Sequence, residues 1–160
     1  MAAGGVTGFA AYSGPCWRAV MAGSEPAVLD GTGRAGRYNR PGEHSLYMSG
    51  SPQAVAAAMA RYGEAPRTVL RLWVEAERLV DMRDEEACAQ LGVDASRTKE
   101  DWLVSLDAGG EPPSWRASDR ARALGATGLI DRSRALPREW HLVLFRWNVS
   151  GGAEVAVADD

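Results

Sequence analysis

GTGRAGRYNRPGEHSLYMSGS, residues 31–51, decides how the chain is read. It sets Arg34, Arg37 and Arg40 among glycines and tyrosines, then runs into a short apolar strand and a helix start. Arginines on a glycine-rich turn present flat guanidinium forks that bond phosphate oxygens in pairs. Tyrosine rings beside them offer faces on which a base or a nicotinamide can stack. The stretch is suited to a charged, ring-bearing ligand such as a dinucleotide.

Gly31, Gly33 and Gly36 also spell G-x-G-x-x-G. That spacing binds a dinucleotide only between a strand and the helix whose N-terminus receives the pyrophosphate. Here Arg37-Tyr38-Asn39-Arg40-Pro41-Gly42 follows, and Pro41 five residues after the third glycine prevents a helix from opening there. No βαβ pattern places an acidic residue at the end of a second strand. The doubly wound reading is set aside.

Outward from this stretch, residues 1–11 read as a loose Gly/Ala-rich tail and residues 12–160 as a single domain. Residues 15–21 read as a short strand carrying Arg18, and residues 23–45 as a long loop of the kind that is functional when ordered. Residues 46–48 form a strand. Ser51-Pro52 caps and starts a helix over 53–62, which is apolar on nearly every side and therefore expected to be buried; Gly63 ends it. Residues 68–80 are the clearest strand: Thr68, Leu70, Leu72, Val74 and Ala76 share one face. Asp81, Asp84, Glu85 and Glu86 place negative charge at the start of a helix closed by Gly92. A helix start is read at 98–101, and another helix, capped by Ser114 or Ser118, ends at Leu124-Gly125. Strands at 127–130, 140–147 and 154–157 complete an α+β fold, since the strands do not alternate regularly with helices.

Composition narrows the function. The 160 residues carry a net charge of -3, which argues against a general nucleic-acid binder. Lys99 is the only lysine, the other basic residues being arginine. Cys16 and Cys88 are too few for a disulfide framework, and no C-x-x-C or His cluster points to zinc. The N-terminal residues lack the basic region of a signal peptide and no run reaches a membrane span, so a metal-free cytoplasmic protein is expected. Ser133 reads as a turn serine, because no G-x-S-x-G elbow surrounds it. His44 lies on the loop, His141 reads as a structural strand histidine, and the six tryptophans as core and edge filler.

Taken together, Trp17-Arg18-Ala19, residues 36–42, Leu46-Tyr47-Met48-Ser49 and Ser51-Pro52-Gln53-Ala54 resemble the RES domain. Gly128-Leu129-Ile130 with Ser133, followed by the 142–145 strand, resembles that family's closing motif, so the likeness spans about Cys16 to Trp147. The resemblance implies a fold of small twisted β-sheets with surrounding helices, like that of diphtheria-toxin-like ADP-ribosylating toxins. It implies a bacterial toxin that consumes NAD as substrate, without metal, and is restrained by an Xre-like antitoxin covering its cleft. Nucleic acid would be met only through that antitoxin. Arg18, Arg37, Tyr38, Asn39, Tyr47 and Ser133 are thereby expected around NAD, with Arg37, Tyr47 and Ser133 as catalytic residues.

The family glutamate belongs on the helix after Ser51-Pro52, where this chain has Ala57-Ala58-Met59. Its loss leaves three readings: a transferase whose acceptor supplies the nucleophile, an acid borrowed from Glu43 or Glu64, or a dead enzyme. The first is favoured: transfer of ADP-ribose to a protein, with phosphoribosyl-pyrophosphate synthetase one target described for the family. NAD hydrolysis or phosphorolysis without protein modification is the enzymatic alternative. A nucleotide- or RNA-binding module built on Arg34, Arg37, Tyr38 and Arg40 is the non-enzymatic one.

Overall fold

The alternating strand anticipated at 68–80 organises the sheet. In a computed structural model describing residues 7–158 it becomes β3 (Arg67–Asp81), with Leu72, Val74 and Ala76 buried on one face. The other elements are β1 (Ala10–Met21), β2 (Leu46–Ser49), α1 (Pro52–Met59), α2 (Glu85–Leu91), α3 (Trp102–Asp107), α4 (Pro113–Ala123), β4 (Gly128–Arg132), β5 (Trp140–Leu144) and β6 (Glu154–Val157). β1 pairs antiparallel with β3 from Ala10↔Leu79 to Met21↔Arg67, so it starts earlier than expected. Of the tail anticipated at 1–11, Ala10 and Ala11 belong to β1, and residues 1–6 lie outside the described residues.

The strand order is β1-β2-β5-β4-β3-β6, and β1 is bonded back to β3. Five strands therefore form one barrel-like ring, with β6 laid along β3, where several small sheets were expected. β3 supplies one edge to β1 and the other to two strands: Leu72–Glu75 pair with β6, and Leu79–Asp81 run parallel to β4. The change of partner falls at Arg78, which has a φ of 56°. Its guanidinium donates to the carbonyls of Gly125 and Gly151, while its own carbonyl accepts from Thr127 N.

Side-chain alternation divides the core in two. Leu46, Met48, Leu142, Leu144 and Ile130 join Leu72 and Val74 inside the ring. Leu129 and Val143 face outward, under Cys88 and Leu91 of α2 and Ala117 and Ala121 of α4. Helix α1 buries only Ala54 and Val55, because it leans on β1 and β2 by one side; the expectation of burial all round does not hold. Ser51 Oγ accepts from Ala54 N as the cap anticipated. Neither Ser114 nor Ser118 caps α4: its N-cap is Pro112, and both hydroxyls donate to backbone carbonyls elsewhere.

Gly128 sits where β4 and β5 meet, opposite Leu144. A Cβ there would stand 2.3 Å from Val143 O and 3.0 Å from Leu144 Cα. Gly128→Ala should lower stability by at least ~1–3 kcal/mol, the usual scale of overpacking. Urea unfolding should show this as a lower midpoint at unchanged slope; a wild-type midpoint would mean that the two strands part without cost.

Candidate functional site

The loop before β2 is ordered by one side chain. Asn39 is fully buried, and its Nδ2 lies 2.7 Å from Arg34 O, 3.1 Å from Glu43 O and 3.2 Å from Arg40 O. Its Oδ1 accepts the Tyr47 hydroxyl at 2.6 Å, and that hydroxyl accepts Tyr38 N at 3.0 Å. Gly36 lies directly against this pair: a Cβ would fall 2.6 Å from Asn39 Oδ1 and 2.7 Å from the Tyr47 hydroxyl. Close approach, not a phosphate cradle, accounts for that glycine. From α4, Trp115 Nε1 donates to Gly36 O at 2.8 Å and the Ser114 hydroxyl to Arg37 O.

The three loop arginines take different roles. Arg40 is held by Glu111 at 2.6 Å and Asp119 at 2.7 Å, over the Trp115 ring. Arg34 is exposed. Arg37 is half-buried and donates Nη1 to Thr98 O at 2.7 Å. Its ring-bearing neighbour Tyr38 is only 2% exposed and donates its hydroxyl to Asp131. Tyr38 is thus part of the outer core and offers no face for a nicotinamide to stack on, contrary to expectation. Desolvation, then the Asp131 charge, hold its phenol well above its ordinary value.

Beneath Arg37, three polar residues stand side by side across neighbouring strands. Ser49 of β2 is registered with His141 of β5, and His141 with Asp131 of β4. His141 Nδ1 lies 2.7 Å from Ser49 Oγ. Asp131, 4% exposed, accepts Lys99 Nζ at 2.5 Å and Arg132 N at 2.8 Å besides Tyr38. Burial pushes the His141 imidazole down to about 4, against the opposing pull of Asp131. Burial also lowers Lys99, again opposed by Asp131. Residues 98 and 99 thereby tie one segment to both Arg37 and Asp131.

Arg18 of β1 donates Nη1 to Tyr47 O at 2.8 Å, and its Nε is sealed from solvent with no partner. Burial pulls its pKa down. Asn39, expected at the ligand, is inward with both polar atoms engaged, so it shapes the loop. Tyr47 is half-buried, its hydroxyl engaged on both sides, and burial raises its pKa. Ser133 is 2% exposed, and its Oγ accepts Leu136 N at 3.1 Å, the behaviour of a turn serine. Glu43 turns its carboxylate onto Arg40 N at 2.6 Å, and Glu64 is exposed on the turn after α1. Ala57, Ala58 and Met59 are half-buried.

The residues that sequence reasoning passed over are Ser49, Lys99, Asp131 and His141. Their signals were present: an aspartate closing the apolar run 128–130, and a histidine at an outward position of an apolar strand. Lys99 also stood alone among the arginines.

A sequence model described as the RES domain matches residues 15–160. Among solved structures, a chain of the M. tuberculosis MbcT–MbcA toxin–antitoxin complex is similar, with a TM-score of 0.57 and 16% identity, covering 94% of this chain and 86% of that one. At that identity the likeness is one of fold. No curated protein matches in sequence.

The depressed imidazole makes the fold sensitive to acid. Between about pH 6.5 and 4 the unfolded chain takes up a proton that native His141 refuses, so stability falls as pH drops through this window and the loss levels off below it. The contribution is up to ~3 kcal/mol, because each tenfold loss of proton affinity on folding is worth ~1.4 kcal/mol. Urea unfolding across pH 4–8 should therefore be flatter for His141→Asn than for wild type. Parallel curves would place the acid sensitivity elsewhere.

Proposed function

The chain belongs to the RES domain family, and from that premise we propose that it is the toxin of a toxin–antitoxin pair, cleaving the nicotinamide–ribose bond of NAD and transferring ADP-ribose to a protein. The observation that carries this reading is a pair of guanidiniums joined through Tyr47. Arg18 bonds the Tyr47 carbonyl, Arg37 belongs to the loop that Tyr47 anchors, and neither has a carboxylate partner among the described residues. Half-buried cations left unneutralised favour an anionic ligand, and a diphosphate supplies the charge. The likeness of the fold to ADP-ribosylating toxins belongs to the same reading.

Breaking the glycosidic bond builds positive charge on the ribose while nicotinamide leaves neutral. A site promotes this by clamping the diphosphate and fixing the ribose. Arg37 would exchange Thr98 O for a phosphate oxygen, with the unneutralised charge of Arg18 behind it. The carboxylate absent from α1 is not replaced by Glu43, which is turned onto Arg40 N, or by Glu64, which is exposed beyond the helix. This supports an acceptor that brings its own nucleophile, with phosphoribosyl-pyrophosphate synthetase the candidate target. Breakdown of NAD by water is the second reading, and a histidine with one ring nitrogen left without a hydrogen-bond partner among the described residues, His141, favours it. The structural neighbour comes from a toxin–antitoxin complex, which supports a protein partner here, an Xre-like antitoxin seated over the cleft in the cytoplasm. No helix among the described residues is long and apolar enough to cross a membrane.

Incubating the purified chain with bacterial lysate and labelled NAD separates the readings: label on one protein band supports transfer, and nicotinamide release without a band supports breakdown. The absence of both would end the proposal of NAD cleavage.

Arg37→Ala should cut NAD turnover by at least ~10²-fold, the scale of losing one preorganised charge-stabilising donor. Its melting temperature should stay within a few degrees of wild type, since only the bond to Thr98 O is lost. Turnover retained in a folded variant would remove Arg37 from the site.

A further inference from the structure

We propose that His141 is the proton acceptor for the nucleophile that displaces nicotinamide, its ring held by Ser49 at Nδ1 so that Nε2 is left without a partner. This rests on the NAD-cleaving reading and names a group that the RES resemblance did not assign. Ser49 is 5% exposed and sits opposite His141 in the β2–β5 register, so the 2.7 Å contact at Nδ1 fixes the ring from a rigid strand. The other ring nitrogen has no protein partner among the described residues. It is not sealed either, because the one sealed, partnerless side-chain nitrogen or oxygen among the described residues is Arg18 Nε. With the proton on Nδ1 and donated to Ser49 Oγ, the lone pair lies on Nε2.

The charged groups facing the ring come from four segments. Asp131 of β4 and Glu139 at the head of β5 are negative, while Lys99 and Arg37 are positive. Two charges of each sign leave burial to decide, and the ring is neutral at physiological pH. Its basicity, near 4, is that of an ordinary glutamate. A neutral imidazole can therefore take the proton that a carboxylate on α1 would have taken, where this chain has Ala57, Ala58 and Met59.

The step balances without a further reagent. The C1′–N bond breaks and its electron pair leaves with nicotinamide, which departs neutral. The nucleophile oxygen, from water or an acceptor hydroxyl, bonds to C1′. Its proton passes to His141 Nε2 and then to solvent. Asp131 and Glu139 steady the brief imidazolium.

The test is NAD turnover by the purified full chain between pH 4 and 9, for wild type, His141→Asn and His141→Gln, with melting curves alongside. Turnover by wild type should fall on an acid limb. The variants should lose ~10²-fold or more in kcat, keep KM within about threefold by the same argument, and show no acid limb. Azide attacks without giving up a proton, so it should restore turnover in the variants. Nitrogen NMR of the wild-type ring, which needs no variant to fold, should show the proton on Nδ1. A variant with kcat within about twofold of wild type, a loss that azide does not relieve, or a proton on Nε2 would overturn the assignment. If wild type releases no nicotinamide at all, the NAD-cleaving reading falls first and takes this one with it; turnover indifferent to His141 sinks this one alone.

Discussion

A single buried carboxamide holds the site together. Asn39 places its NH₂ among three loop carbonyls and its oxygen under the Tyr47 hydroxyl. Without it, the carbonyls of Arg34, Arg40 and Glu43 would lose their common donor, at ~0.5–1.5 kcal/mol for each such bond. The loop is long and rich in glycine, so its own ordering opposes this shape. The requirement then propagates. Gly36 must lack a side chain so that Asn39 and Tyr47 can meet, and Trp115 and Ser114 must reach across from α4 to satisfy the carbonyls of Gly36 and Arg37. Arg37 is aimed by these contacts together with its own bond to Thr98 O.

The barrel provides the second constraint. Because side chains alternate, the ring can hide Leu142, Leu144 and Met48 inside while placing Ser49, His141 and Asp131 in one outward row. Strand pairing sets the spacing of that row, so it is more rigid than any loop-borne arrangement. Shifting any one of these strands by a residue would put a core residue (Met48, Leu142 or Ile130) into the row. Gly128 guards this register at one end by allowing β4 to approach β5 with no side chain between them.

Much of the architecture was legible from local chemistry. The alternation at 68–80, Ser51-Pro52 before α1 and Gly92 after α2 carry their reasons within a few residues, and each element formed where those reasons placed it. Closure of the ring was not legible, because it depends on β3 changing partners at Arg78, a residue whose positive φ is stabilised by carbonyls of Gly125 and Gly151 far along the chain. The site shows the same division. Arg37 stood out in its glycine-rich turn, and Tyr47 only through the family resemblance. Tyr38 and Asn39 looked the same in sequence and proved to be inward, because only the pairing of loop with Asp131 and Tyr47 tells an anchoring side chain from a ligand-facing one. Asp131, Lys99 and His141 lie on segments that are neighbours only in space.

The balance of charge in this cleft follows from those placements. Asp131 is nearly sealed and is neutralised by Lys99, so it cannot face a developing cation unaided. Arg40, a cation of the same loop, is bound by Glu111 and Asp119 and fastens the loop to α4 instead of serving a ligand. What remains is a site with two guanidiniums that have no carboxylate partner among the described residues, at Arg18 and Arg37, and a neutral imidazole in place of a free carboxylate. Such a site grips an anion well and stabilises a cation poorly. On the proposed reading, its catalytic strength comes from holding the diphosphate and orienting the ribose, with the imidazole receiving a proton only after the glycosidic bond has largely parted. On that same reading the charges set the order of events: a carboxylate-bearing site can pull on the ribose from the start, whereas this one would first bind tightly and then wait for the bond to give.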